Sequence, residues 1–123
     1  MQNKYGQALG LWELNIGRDE TQGPLVLRPK KGDNFRLGKI LTNERNRTDK
    51  SLMLEQIGSF IVELIAREEK PNNDQEREDL EFYVESNITN LMSELLVAFR
   101  WTTKEKLEEQ EKQLSKNLNP QLS

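Results

Sequence analysis

The stretch LMLEQIGSFIVELI, residues 52–65, and the stretch LEFYVESNITNLMSELLVAFRW, residues 80–101, decide the fold, with the polar break Lys70-Pro71-Asn72-Asn73 between them. In the first, Met53, Ile57, Phe60, Ile61, Leu64 and Ile65 step by three and four, which places them on one helical face and turns Glu55, Ser59, Glu63 and Arg67 away from it. In the second, Leu80, Val84, Ile88, Leu91, Leu95 and Phe99 follow at steps of 4, 4, 3, 4 and 4, and Tyr83, Met92 and Leu96 widen the stripe. A stripe that wide packs against more than one neighbour. Pro71 ends the first helix, because the residue before a proline is pushed out of the helical region. Asn73, with Glu76 at the capping-box spacing, opens the second, and Glu76, Glu78 and Asp79 complement its dipole. Gly58, inside the first helix, either lets another backbone approach closely or is a mildly costly glycine with no special role.

Working outward toward the N-terminus, Trp12, Leu14 and Ile16 alternate with Glu13 and Asn15, the pattern of a strand with one buried face. Gly17 and Gly23 bracket a polar connection, and Leu25 to Leu27 reads as a second strand with Pro24 and Pro29 at its ends, where a missing ladder N–H is tolerated. A hairpin of this size is marginal alone and must lie on something apolar. Lys31-Gly32-Asp33-Asn34 is a turn, and Asp33 or Asn34 could cap a short helix carrying Phe35, Leu37, Ile40 and Leu41. A third strand is the alternative. Gly38 weighs against the helix by about 1 kcal/mol relative to alanine. Thr42 to Lys50 reads as a loop, with Asp49 as N-cap for the helix that follows.

Toward the C-terminus, Thr102 and Glu105 stand at the capping-box spacing, so the chain breaks near Trp101 and begins another helix. Leu107, Leu114 and Leu118 are its only apolar anchors, and a segment with so little to bury frays unless something docks on it. The fold expected is α+β, mainly α: an N-terminal β-hairpin packed on a small helical body, with a marginal C-terminal helix. Residues 1–110 form a single small domain, with the hairpin and a short element at 9–41 and two main helices at 49–101. Residues 111–123 form a mobile tail.

Composition bounds the function. At 123 residues the chain supports one modest core, and 34% apolar against 32% charged residues is polar for a globular domain. Net charge is −3, but residues 1–50 hold 10 Lys/Arg against 6 Asp/Glu (+4) while residues 51–123 hold 8 against 15 (−7). The basic front (Arg28, Lys30, Lys31, Arg36, Lys39) could attract phosphates, yet it lacks aromatic interleaving for base stacking, so solvated turn charges are the better reading and nucleic acid is not the expected partner. With neither cysteine nor histidine, disulfides, thiol nucleophiles, imidazole bases and nearly every zinc site are excluded. No signal-peptide h-region opens the chain, and no run approaches the roughly 18 apolar residues of a membrane span. A soluble cytoplasmic protein is expected.

An oxygen-ligand metal site would have to use Asp74, Glu76, Glu78, Asp79 and Glu81. These lie consecutively around a helix start and point in several directions, whereas a calcium loop alternates its ligands around a glycine turn. No pair of acids is placed in apolar surroundings, Glu85 and Glu94 read as surface, and neither phosphate-binding glycine string occurs. The expectation is a protein with no catalytic residue, cofactor or metal. Trp12 and Trp101 can each close a core or anchor an interface, where tryptophan is enriched.

The turn Pro29-Lys30-Lys31-Gly32-Asp33-Asn34, the helix Ile57 to Arg67, and Asn87 to Trp101 ending in Leu96-Val97-Ala98-Phe99-Arg100-Trp101-Thr102 together resemble the small tail assembly chaperones of long-tailed bacteriophages. The likeness is one of layout over residues 9–110, in a family that lends no invariant motif. It implies a non-enzymatic protein that holds the tape measure protein, a long helical chain, in the host cytoplasm until tail-tube subunits polymerise around it. It also implies possible contact with the tail-tube protein, self-association, and a longer frameshifted form, with which the Lys116-Asn117 region is compatible. Such a chaperone must cover apolar helix surface and then release it, so it needs a moderate apolar stripe with a charged rim. Ile57, Ile61, Leu64, Leu91, Leu95 and Phe99 could form that surface or simply pack the helices together. Met92 and Leu96 at the stripe's edge, with Phe99 and Trp101, are the candidate partner-binding residues. The competing readings are a head-tail connector or other structural adaptor, and a small nucleic-acid-binding regulator whose binding would weaken steeply with salt.

Overall fold

The computed structural model describes residues 12–14, 21 and 23–118, with the side chains of 111 and 113–118 excepted, and has two short strands followed by six helices. Strands β1 (Trp12–Leu14) and β2 (Leu25–Leu27) pair antiparallel with Trp12 opposite Leu27 and Leu14 opposite Leu25. All four of those side chains are buried while Glu13 is exposed, so the alternation places one apolar face of the hairpin on the helical body. That face lies on α3 and α5, the support a two-stranded ribbon needs. Ile16 and Gly17 lie outside the described residues.

The segment after the hairpin is helix α1 (Asp33–Thr42), not a third strand. Neither Asp33 nor Asn34 caps it. The N-cap is Gly32, whose φ of 92° is open to glycine at little cost, and the Asp33 carboxylate instead accepts a 2.7 Å hydrogen bond from the Lys30 amide. Phe35 points to solvent at 82% exposure, and Leu37 alone of α1's apolar residues is fully buried.

The stretch read as a loop contains a five-residue helix, α2 (Glu44–Thr48). It has no apolar face to announce it. The Asn43 side chain caps it by accepting from the Arg45 amide at 2.9 Å. Buried Asn46 then ties it down, its amide nitrogen donating to the Ile40 carbonyl at 2.8 Å and to Gln56 Oε1 at 2.7 Å. Asp49 caps α3 (Lys50–Glu68) as expected, accepting from the Leu52 amide at 3.1 Å.

Helix α3 is the hub: α1, α2, α4, α5 and β2 all pack on it. Ile57, Phe60, Ile61, Leu64 and Ile65 of its predicted face are buried, and Phe60 meets Phe99 edge to face at 6.0 Å between ring centroids. Arg67 does not belong with the outward residues. Its guanidinium is turned onto α1 and clasps Asp33 with two hydrogen bonds of 3.0 and 2.7 Å.

The second long stripe is two helices, α4 (Asp74–Ser86) and α5 (Ile88–Ala98), so residues 49–101 hold three main helices, not two. The break is at Asn87, whose side-chain nitrogen donates to the Tyr83 carbonyl at 2.9 Å, and its backbone leaves helical geometry with ψ at 18°. The apolar periodicity runs through this break undisturbed, which is why the stripe alone conceals it. At the start of α4, Asn73 accepts from the Glu76 amide at 2.9 Å while Glu76 reaches back to the Asn72 amide at 2.7 Å, one residue beyond the usual box partner. Helix α6 (Lys104–Leu118) is capped by Thr103, not Thr102, whose hydroxyl accepts from the Lys106 amide at 3.2 Å. It crosses the boundary expected at 110 as one helix, and Leu107 near its start is half-buried. Residues 119–123 of the expected tail lie outside the described residues.

Gly58 proves to be an ordinary helix glycine. A Cβ built there would sit 3.6 Å from Ile88 Cδ1 and 3.9 Å from Val84 Cγ1, both normal contacts. Gly58→Ala therefore removes backbone entropy from the unfolded chain without a clash and is expected to stabilise the protein by about 1 kcal/mol. A rise in the urea midpoint checks this, and a fall would show that α3 and α4 approach too closely for a methyl group.

Candidate binding surface

The four residues expected to bind a partner fall in three environments. Phe99 is buried in the core, as are Ile57, Ile61, Leu64, Leu91 and Leu95, so these residues pack the helices together. Met92 and Leu96 are half-buried against the core, each keeping part of its side chain at the surface. Trp101 is 45% exposed.

Trp101 owes its position to the way α5 ends. The Arg100 amide donates to the Val97 carbonyl at 3.0 Å and the Trp101 amide to the Leu96 carbonyl at 2.8 Å, a Schellman closure with Arg100 in the left-handed region at φ 63°. A side chain in that region costs about 1 kcal/mol more than glycine would. The turn sends the Trp101 indole across α1, where its Nε1 donates to Asn34 Oδ1 at 2.6 Å. The ring lies over Gly38, where a Cβ would be only 3.2 Å from Trp101 Cζ2. The glycine that weighs against a helix in the sequence thus makes room for the indole.

The larger feature is a groove of about 710 Å³ between α3 and α4. Its floor is apolar: Leu54, Gly58 and Val62 recur every four residues on α3, and Val84 and Ile88 face them from the other side. Its walls are acidic. Glu55, Ser59 and Glu63 form a row of the same spacing along α3, and Arg77, Glu81 and Glu85 form one along α4. Of these, Glu81 pairs with Arg77 at 3.0 Å and Glu63 pairs with Arg36, while Glu55 and Glu85 have no partner among the described residues. Ile88, Met92 and Leu96 continue at four-residue spacing along α5, so a half-buried apolar ridge leaves the groove and leads toward Trp101.

The sequence stripe includes Met92 and Leu96 of this ridge but does not announce the groove. The signal was the second set of fours on α3, Leu54, Gly58 and Val62, set beside the main stripe. Glu55, Ser59 and Glu63 do face outward as expected, and they edge an opening instead of a plain solvated face.

No family model, curated protein or solved structure matches the chain. Its chemistry therefore has to be read from its own residues. The acids at the start of α4 have local roles: Glu76 in the cap, Asp79 accepting from Gln75 at 3.0 Å, and Glu81 on Arg77. Among the described residues no three or more acids converge as a metal site would need, and no helix is long and apolar enough to cross a membrane. In the basic front, Arg36 is engaged by Glu63 and stacks over the Phe60 ring at 5.3 Å. The arrangement can accept an apolar side-chain row between charged walls.

Proposed function

We propose that this chain is a non-enzymatic tail assembly chaperone that binds the tape measure protein in the host cytoplasm while a tail is built. The observation carrying the reading is the α3/α4 groove with its apolar floor and charged walls, extended by the ridge Ile88, Met92 and Leu96. A helix lays one apolar face into such a trough, and charged walls limit the contact to segments of suitable sequence. The groove is open and shallow enough for a client to be taken up and given back. Trp101 stands beyond the far end of the ridge, where an aromatic ring half out of solvent adds contact area at little entropic cost. The chain resembles tail assembly chaperones in layout, and that resemblance names the client.

Co-expression tests the proposal. The tape measure protein of the same genome is expected to move from the pellet to the soluble fraction when this chain is present. Met92→Gln, close to methionine in size and half-buried on the ridge, is expected to keep its circular dichroism spectrum and weaken that effect. Equal insolubility with and without the chain overturns the reading.

A further inference from the structure

From the charge lining the groove we infer that its occupant is a cationic amphipathic helix, one whose apolar row is flanked by Lys or Arg. The inference rests on the reading of the chain as a helix-binding protein and names the class of segment it prefers. Four carboxylates line the groove (Glu55, Glu63, Glu81 and Glu85) against one guanidinium, Arg77. The imbalance is concentrated: Arg77 and Arg36 satisfy Glu81 and Glu63, which leaves Glu55 on one wall and Glu85 on the other without partners among the described residues. Between them the floor holds only apolar groups at Gly58, Val84 and Ile88.

Neither carboxylate is neutralised by the described residues, so cations carried by a third helix can pair with both. An occupant seating Leu-sized side chains on Leu54, Val62 and Ile88 would carry its flanking residues at the level of the two walls. Lysine and arginine there also lay their aliphatic stems along the apolar edge. Glutamate at those positions meets carboxylates on both walls and is repelled. Charge of this kind selects among otherwise similar apolar helices and raises the rate of encounter. Because the walls are solvent-exposed, the selection weakens with salt.

The test uses two fluorescein-labelled helical peptides of about 18 residues, long enough to span the groove. They share one leucine row and differ only in carrying Lys or Glu on its flanks. Anisotropy titrations with the full chain are expected to show the Lys peptide binding at least about tenfold more tightly at low salt, with the preference shrinking as salt screens the walls. The double variant Glu55→Gln, Glu85→Gln should fold normally, since both residues are exposed, and should lose most of the preference. Equal binding of the two peptides, or a preference unchanged in the double variant, overturns the inference and leaves the chaperone proposal standing. Binding of neither peptide while the tape measure protein is still held soluble places the client elsewhere and likewise overturns it. Should the chain be dimeric by sedimentation, with a groove closed to both peptides, the occupant is a second copy and the inference fails. Selective binding of the Lys peptide without any effect on the tape measure protein upholds the groove's preference and refutes the tail assignment.

Discussion

Asp33→Ala is expected to destabilise the protein by about 2–3 kcal/mol at neutral pH, read as a lower urea midpoint with an unchanged slope. The Asp33 carboxylate is buried and accepts from the Lys30 amide at 2.7 Å and from both terminal nitrogens of Arg67 at 3.0 and 2.7 Å. Truncation strands the guanidinium against α1 and leaves the Lys30 amide without its acceptor. Breaking one side of a fully buried pair costs about 3–5 kcal/mol, and the figure here is lower because the Arg67 side chain keeps 28% of its surface in water.

The same pair sets an acid dependence. Burial works against ionisation of Asp33, but it is outweighed by the Arg67 hydrogen bonds, the Lys30 amide and the charges of Arg67 and Arg36, so the carboxyl titrates below its usual range. A carboxyl depressed in the folded state contributes stability that is complete above its unfolded pKa, near 3.9, and lost as pH falls through the lower folded value. Wild type and Asp33→Ala should therefore differ most at neutral pH and converge below about pH 4. A gap that holds or widens toward acid would show that the carboxylate is not what the pair contributes.

Ile61→Ala is the second large effect, an expected loss of about 3–4 kcal/mol. Ile61 is fully buried in the middle of the helix on which α1, α2, α4, α5 and β2 all pack. Removing its outer carbons opens a void that close-packed neighbours fill only in part. For a domain this size, where total stability is about 5–15 kcal/mol, the thermal midpoint should fall by roughly 10–15 °C. Phe35→Ala deletes a larger side chain from a helix that packs on the same hub, but at 82% exposure it should shift stability by less than about 0.5 kcal/mol. Comparable losses from the two would mean that Phe35 is covered in solution, as by a partner or a second copy.

Much of the fold was legible because it follows from local chemistry. The hairpin alternation, the apolar face of α3 and the caps at Asp49 and Asn73 each depend on residues close in sequence, and each is found where expected. What escaped were features settled by distant partners or by a single polar group. Helix α2 depends on one buried amide at Asn46, which the surrounding Asn, Arg and Thr residues disguise as loop. The break at Asn87 depends on a side chain competing for one carbonyl inside an unbroken stripe. The Asp33–Arg67 clasp and the Trp101–Asn34 hydrogen bond join residues 34 and 67 positions apart, and no periodicity carries that information. At the candidate binding surface, spacing places Met92 and Leu96 at the edge of the stripe, and both are half-buried there. Spacing could not reveal that the packed pair α3 and α4 leaves a surface groove lined by Leu54 and Val62.

The position of α3 has a consequence for how the molecule opens. Since nearly every packed element rests on this one helix, none can peel away without uncovering part of it, and the amide protons of α3 should trade with solvent only when the whole body comes apart. The helical body should thus open as a single cooperative unit, with the slowest-exchanging amides gathered along its central helix.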